Sequence, residues 1–174
     1  FTPKNKPFVE FESSEQINNY LLRDREVQAH IASRVGSSGG APMIAMVFFD
    51  EETEEICREL DYTLILPPDS LRRRLDSKIV TTQLGEEAGA PSVPNVLARA
   101  DTYEELSALA TKAGLGSDLV VQTPYGDSGK TTFFITSRAE WDRDSENMIG
   151  QDLKIMKRIN NHAVAVEAVN TRHG

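Results

Sequence analysis

Apolar and polar positions along the first part of the chain group into short apolar runs and longer amphipathic stretches. Residues 7–11 alternate as in a strand, and 43–49 are apolar throughout, as expected for a central parallel strand that is buried on both faces. Residues 61–66 predict a second buried strand, and the amphipathic stretches 15–35 and 51–60 predict helices. This alternation of strand and helix predicts a small open α/β layer.

The pattern changes after residue 75. Helices are predicted over 78–88, 102–113 and 138–147. A β-hairpin is predicted over 119–135, and further strands over 152–157 and 163–169. The second part is thus predicted to be α+β with mainly antiparallel strands, and we place the domains at 1–75 and 76–174.

The composition limits the classes of function. A formal net charge of −8 and a pI near 4.9 argue against a nucleic-acid-binding surface, because phosphate backbones need clustered lysine and arginine. No apolar run approaches the ~20 residues of a transmembrane helix. The single cysteine, Cys57, cannot form an internal disulfide. These features predict a soluble cytoplasmic protein that binds neither nucleic acid nor membrane.

The candidate chemistry lies in the turn of the predicted hairpin. Gly126 and Gly129 allow backbone conformations closed to other residues, so that successive N–H groups can converge on an anion. Lys130 adds a mobile positive charge, and Ser128 and Thr131 add hydroxyl donors. This inventory predicts a clamp for the phosphates of a nucleotide. A plain β-hairpin whose glycines serve only the turn remains the alternative.

The turn does not fit the P-loop pattern. That pattern requires a glycine at the position of Pro124. It also requires a helix after the lysine, whereas residues 131–135 are β-branched and aromatic and predict a strand. A P-loop kinase or GTPase is therefore not expected.

The order of elements resembles the ATP-grasp superfamily, the ligases that include biotin carboxylase and D-alanine–D-alanine ligase. In that family a small α/β domain precedes a helix that is entered by an Asp-x-Lys turn and ends at Ala-Gly-x-Pro. The matching segments here are Asp76-Ser-Lys78 and Ala88-Gly-Ala-Pro91. A strand and a glycine-rich loop follow (119–122 and 125–130), and a later helix and strand lead to an adenine-binding hinge that corresponds to 154–159.

The resemblance implies an ATP site built from three parts of the second domain. Lys78 matches the lysine that contacts the nucleotide phosphates from the first helix. The loop that folds over the β- and γ-phosphates matches Gly126, Asp127, Ser128, Gly129, Lys130 and Thr131. The hinge would offer backbone N–H and C=O groups to the adenine edge and apolar side chains to its faces. Its members are Met156, Lys157, Arg158 and Ile159, and His162 would reach the ribose.

One position departs from the family. The strand before the loop usually ends in a lysine that faces the phosphates, and this chain has Gln122 there. Glutamine can donate a hydrogen bond to a phosphate but brings no charge. Either Lys130 supplies the missing charge from the loop or ATP binding is weakened.

The resemblance also implies a reaction. It is the ATP-dependent joining of a small-molecule carboxylate, or bicarbonate, to an amine through an acyl-phosphate, with ATP and Mg²⁺ as cofactors. The family's Mg²⁺ ligands and catalytic arginine would follow Gly174, so we expect the chain to be part of a longer protein, with no metal ligand and no assignable catalytic residue of its own. A non-catalytic nucleotide-sensing domain is the alternative that Gln122 favours. The oligomeric state is left open, a homo-oligomer included.

Overall fold

The computed structural model describes residues 7–35, 40–126 and 129–160. Within these ranges two sheets form, one of two parallel strands and one of four strands that pair antiparallel. They lie in separate units, Phe1–Leu75 and Asp76–Gly174. The mixed α/β class predicted from the sequence is therefore confirmed, with parallel pairing in the first unit and antiparallel pairing in the second.

The first unit is helical around a very small sheet. Its described elements are helices α1 (Ser14–Arg23), α2 (Arg25–Val35), α3 (Glu51–Glu59) and α4 (Asp69–Asp76), and strands β1 (Met43–Ile44) and β2 (Thr63–Leu64). Strands β1 and β2 pair in parallel, as the sequence predicts. Leu22, Ile56 and Cys57 form the buried core.

The single helix predicted over 15–35 is two helices, because Asp24 interrupts it. The backbone of Asp24 is extended (φ −78°, ψ 127°). Its carboxylate accepts hydrogen bonds from the backbone N–H groups of Glu26 (2.8 Å) and Val27 (3.2 Å), and so caps the second helix. An aspartate side chain competes with the carbonyl groups of a continuing helix for the backbone N–H groups. Hydrophobic periodicity carries no information about that competition.

The strands predicted for the first unit are also corrected. The one nearest the N-terminus does not form, and the other two shrink to two residues each. Burial of 43–49 on both faces is wrong, since the exposed fractions of Met43 and Val47 are 73% and 82%. Ile44 and Leu64 pack against the core. Residues of the opposite parity point away from that core, because side chains alternate along a strand.

In its described residues, 76–126 and 129–160, the second unit consists of a four-stranded sheet and three α-helices. The helices are α5 (Lys78–Glu87), α6 (Tyr103–Lys112) and α7 (Arg138–Asp144), with a single 3₁₀ turn at Ser145–Asn147. The strands are β3 (Asn95–Ala98), β4 (Leu119–Gln122), β5 (Thr132–Ile135) and β6 (Leu153–Lys157), in the spatial order β3-β6-β4-β5. The predicted hairpin and the strand after it are confirmed. The predicted strand 163–169 lies outside the described residues.

The two faces of this sheet differ in character. On one face, buried residues such as Val121 and Ile155 pack with Leu106 of α6 and Trp141 of α7. The other face, called the second face below, carries the residues of opposite parity. The strand register arranges them in two rows, Leu97-Lys154-Gln122-Thr132 and Asn95-Met156-Val120-Phe134.

Helix α3 begins at a capping box that can titrate. The Asp50 carboxylate accepts from the Thr53 N–H (2.9 Å), and the Thr53 hydroxyl accepts from the Asp50 N–H (3.1 Å). The Asn19 amide also donates to the Asp50 carboxylate (3.0 Å). Burial acts to raise the pKa of Asp50, but the hydrogen bonds from Asn19 and Thr53 outweigh it and hold the pKa below its ordinary value.

We expect Asp50→Ala to lower the free energy of unfolding by about 1 kcal/mol, because the Thr53 N–H loses its acceptor. Because folding lowers the pKa of Asp50, its carboxylate stabilises the fold at pH values above the ordinary pKa of an aspartate. This stabilisation is lost as the pH falls through the pKa that Asp50 has in the folded state. Asp50→Asn keeps a capping oxygen and should remove that acid dependence. Urea unfolding between about pH 5 and pH 2 measures both effects. An Asn variant that titrates like the unmodified chain would contradict the assignment.

Candidate functional site

Lys78, the first residue of α5, is fixed to the turn of the hairpin by its backbone. The buried side chain of Ser77 caps the helix and accepts from the Val80 N–H at 3.4 Å. The N–H of Lys78 donates to the carbonyl of Pro124 at 2.8 Å. The start of α5 is therefore tied to the loop that follows β4.

The side chain of Lys78 binds the same loop. Its ammonium donates to the Gly126 carbonyl at 2.7 Å and approaches the Thr131 hydroxyl oxygen at 3.4 Å. A lysine has three N–H donors, so one further acceptor can bind Lys78 without displacing either contact. The structure thus brings together Lys78 and the glycine-containing turn, two segments that the sequence assigns to one site.

The turn has no room for a side chain at Gly126. Its φ is +132°, and a Cβ built there would lie 2.3 Å from Cγ2 of Thr131. Gly129 also has a positive φ, +77°, but a Cβ there would meet nothing within 4 Å. Gly126 is therefore required by both its conformation and its close approach to Thr131, whereas Gly129 is required by its conformation alone.

Backbone hydrogen bonds close the turn. The N–H of Thr123 donates to the Thr131 carbonyl at 3.3 Å, and the N–H of Thr132 donates to the Gly129 carbonyl at 3.1 Å. The buried hydroxyl of Thr123 donates to the carbonyl of Tyr125 at 3.2 Å. These bonds hold the two strands together up to the tip.

The predicted loop also contains Lys130, Asp127 and Ser128. Lys130 is exposed beside Gly129. Asp127 and Ser128 lie outside the described residues. Contacts of these three side chains with phosphates stay predictions.

Gln122 lies in a line of polar side chains on the second face, which we call the polar row: Lys154, Gln122 and Thr132. The Gln122 amide donates to the Thr132 hydroxyl at 3.0 Å. The strand register sets Gln122 beside Thr132 on one side and Lys154 on the other. A lysine is therefore present next to Gln122, on the neighbouring strand. Sequence reasoning missed this, because only the pairing of β4 with β6 reveals it.

The hinge predicted over 154–159 starts within β6. The N–H of Lys157 donates to the Pro94 carbonyl (3.1 Å), and the N–H of Arg158 donates to the Asp118 carbonyl (3.0 Å). These two N–H groups are paired with the protein in this structure, and the role of the hinge in binding an adenine edge stays a prediction.

The side chains around the hinge form an apolar strip on the second face. We call it the apolar row: Met156, Val120 and Phe134. Met156 is buried, whereas the exposed fraction of Phe134 is 48%. The guanidinium carbon of Arg158 lies 4.9 Å from the centroid of the Phe134 ring. Ile159 is exposed next to Arg158, and His162, the predicted ribose contact, lies outside the described residues.

The two rows are neighbours on one surface. Residues of the same parity along a strand are about 7 Å apart. Since the apolar row suits a planar apolar group and the polar row lies toward the turn, the second face offers an apolar half and a hydrogen-bonding half to one ligand.

The described residues do not supply a metal site. No group of three or more aspartate, glutamate, histidine or cysteine side chains among them could hold a metal ion. In the same ranges, no helix combines the length and apolar character that crossing a membrane requires.

The fold has counterparts among solved structures. Carboxyaminoimidazole ribonucleotide synthase from Aspergillus clavatus, solved with ATP, matches with a TM-score of 0.52 and 16% identity over 79% of this chain and 34% of that one. D-alanyl-alanine synthetase A from Vibrio cholerae matches with a TM-score of 0.53 and 9% identity over 68% and 38%. The biotin carboxylase domain of 2-oxoglutarate carboxylase from Hydrogenobacter thermophilus, solved with MgADP, ADP and bicarbonate, matches with a TM-score of 0.53 and 23% identity over 77% and 31%.

These three proteins are ATP-grasp enzymes, so the resemblance to that superfamily is confirmed at the level of the fold. The chain spans about a third of the length of each of them. No protein-family model matches the sequence, and no curated protein shows significant similarity to it. The roles of individual residues therefore rest on the geometry of this chain.

We expect Gly126→Ala to destabilise the turn more than Gly129→Ala does. Both variants place a side chain at a positive φ, which costs about 1–3 kcal/mol, but only the first also drives a Cβ into Thr131. Urea unfolding of the two variants measures the difference, to which both the close approach to Thr131 and the less accessible φ of Gly126 contribute. Equal losses of unfolding free energy would show that Thr131 moves aside freely.

Proposed function

We propose that the second unit binds ATP as the nucleotide-binding part of an ATP-dependent ligase that joins a small carboxylate, or bicarbonate, to an amine. One observation carries this proposal: the Lys78 ammonium lies in the glycine-containing turn, on the carbonyl of Gly126. A fixed cation beside a turn that excludes side chains provides a place for phosphate oxygens. The neighbouring folds are those of ligases, several of them solved with ATP or ADP.

The base would bind at the apolar row. Phe134 offers an exposed aromatic face, and Val120 and Met156 continue the apolar surface toward the hinge. The guanidinium of Arg158 is held by Phe134 and lies 3.7 Å from the Asp118 carboxylate. Its position at the end of the row would limit how far the base can slide along the sheet.

The phosphates would extend from the apolar row toward the turn. Lys78 and Lys130 would neutralise the charge that develops on the transferred phosphoryl group. The N–H groups of the turn would orient that group and keep water away. Mg²⁺ would accompany the phosphates, as it accompanies ADP in the Hydrogenobacter neighbour.

In the proposed reaction, a carboxylate oxygen attacks the γ-phosphorus and ADP leaves. An amine then attacks the carbonyl carbon of the acyl-phosphate and displaces phosphate. In these two steps the second unit contributes nucleotide binding. The first unit would be the small α/β domain that precedes the nucleotide-binding part in the family. The nucleotide-sensing alternative draws on Gln122 alone, and the structural neighbours, which are ligases, give it no further support.

We expect Lys78→Ala to weaken ATP binding to the chain about 10- to 100-fold, because a hydrogen bond to a charged partner contributes about 1.5–3 kcal/mol. Lys78→Gln keeps a donor for the Gly126 carbonyl but removes the charge, so it should fall between Lys78→Ala and the unmodified chain. Isothermal titration calorimetry with ATP, with and without Mg²⁺, measures these affinities.

The control for this measurement is Lys112→Ala, which removes an exposed lysine at the end of α6. Its affinity for ATP should match that of the unmodified chain. An unmodified chain that binds no ATP would refute the proposal and favour the plain hairpin. An unchanged affinity in Lys78→Ala would refute the role of Lys78.

A further inference from the structure

The polar row contains a lysine, Lys154, to which the proposed function assigns no role. Lys154 is half-buried on β6, and its ammonium makes no hydrogen bond or ion pair with the residues that the structure describes. Burial lowers the pKa of Lys154, and the negative charge of Glu86 partly offsets this. A partly desolvated ammonium without a bonded partner can gain free energy when it binds an anion.

The position of Lys154 relative to Gln122 gives that anion a location. The two residues are directly paired between β4 and β6, and their side chains share the second face. Cβ atoms of paired residues lie about 5 Å apart. A lysine side chain is long enough to cover that separation, so the Lys154 ammonium can reach an oxygen bound beside the Gln122 amide.

We infer that Lys154 is a phosphate-binding residue of the nucleotide site, supplying from β6 the charge that the ATP-grasp pattern places at the position of Gln122 on β4. This inference rests on the proposed function. The Gln122 amide, already bonded to the Thr132 hydroxyl, retains a second N–H for the same phosphate. The positive charge thus lies on β6 instead of β4 but remains within the polar row.

The pairing also accounts for the glutamine. Like charges directly opposite each other in an antiparallel pair destabilise the sheet. With Lys154 on β6, a lysine at position 122 would face it on the same side of the sheet. A neutral donor at 122 avoids that repulsion and still hydrogen-bonds a phosphate.

A charge-exchange series tests the inference by calorimetry with ATP, ADP and AMP. Lys154→Gln should weaken ATP binding about tenfold and AMP binding much less, since AMP has fewer phosphate oxygens. The double variant that combines Gln122→Lys with Lys154→Gln should restore most of the ATP affinity, because the charge returns to the row on the other strand. Gln122→Lys alone should lower the free energy of unfolding.

The outcomes separate this inference from the proposed function. If the unmodified chain binds no ATP, the proposed function fails. If it binds ATP and Lys78→Ala weakens binding while Lys154→Gln does not, only the role of Lys154 fails.

A purely structural role predicts a different pattern. If Lys154 serves only as a counter-charge to Glu86, then Lys154→Gln and Glu86→Gln should lower the free energy of unfolding alike, leave ATP affinity unchanged, and show no rescue by the double variant. The control for the change in net charge is Lys112→Gln. Lys112 is an exposed residue at the end of α6 and is distant in sequence from the polar row.

Discussion

The bond from the Lys78 ammonium to the Gly126 carbonyl is the contact on which the candidate site depends. It holds a positive charge inside a turn whose own backbone bonds fix its shape. A lysine side chain that is already restricted loses less conformational entropy when a phosphate binds than a free one does. A second hydrogen bond, from the Lys78 N–H to the Pro124 carbonyl, fixes the start of α5 against the loop after β4. The Lys78 ammonium therefore stays next to the turn.

The sheet then decides which other residues can join this site. Only side chains of one parity reach the second face, and the register sorts them into an apolar and a polar row. The resemblance to the ATP-grasp family implies a lysine at the position of Gln122. The register places Lys154 next to that position, one strand away and about 4.8 Å in the direction of the ladder bonds. What matters to a phosphate is the location of the charge on the surface, whichever strand carries it.

The sequence predicts those features that local rules determine. The hairpin follows from apolar runs on either side of a glycine-containing turn, and the approach of Lys78 to that turn follows from the order of elements that the ATP-grasp family shares. Features set by competition or by pairing were missed. Asp24 breaks a helix whose hydrophobic period runs on, and the N–H groups of Lys157 and Arg158 are taken by carbonyls distant in sequence. The partners of Lys157 and Arg158 are set by the strand pairing of the folded sheet, which local patterns do not determine.

The low identity to proteins of the same fold has a physical explanation in the two faces of the sheet. Val121 and Ile155 are enclosed by α6 and α7, where a change of volume is costly, so the apolar pattern of that face must persist whatever the residues are. On the second face, Lys154, Gln122 and Thr132 are only half-buried, and Lys154 lies beside Thr82 and Gly85 of α5. Residues of one parity on each strand thus form the core that holds the fold, and the residues of the polar row on the other parity are less enclosed.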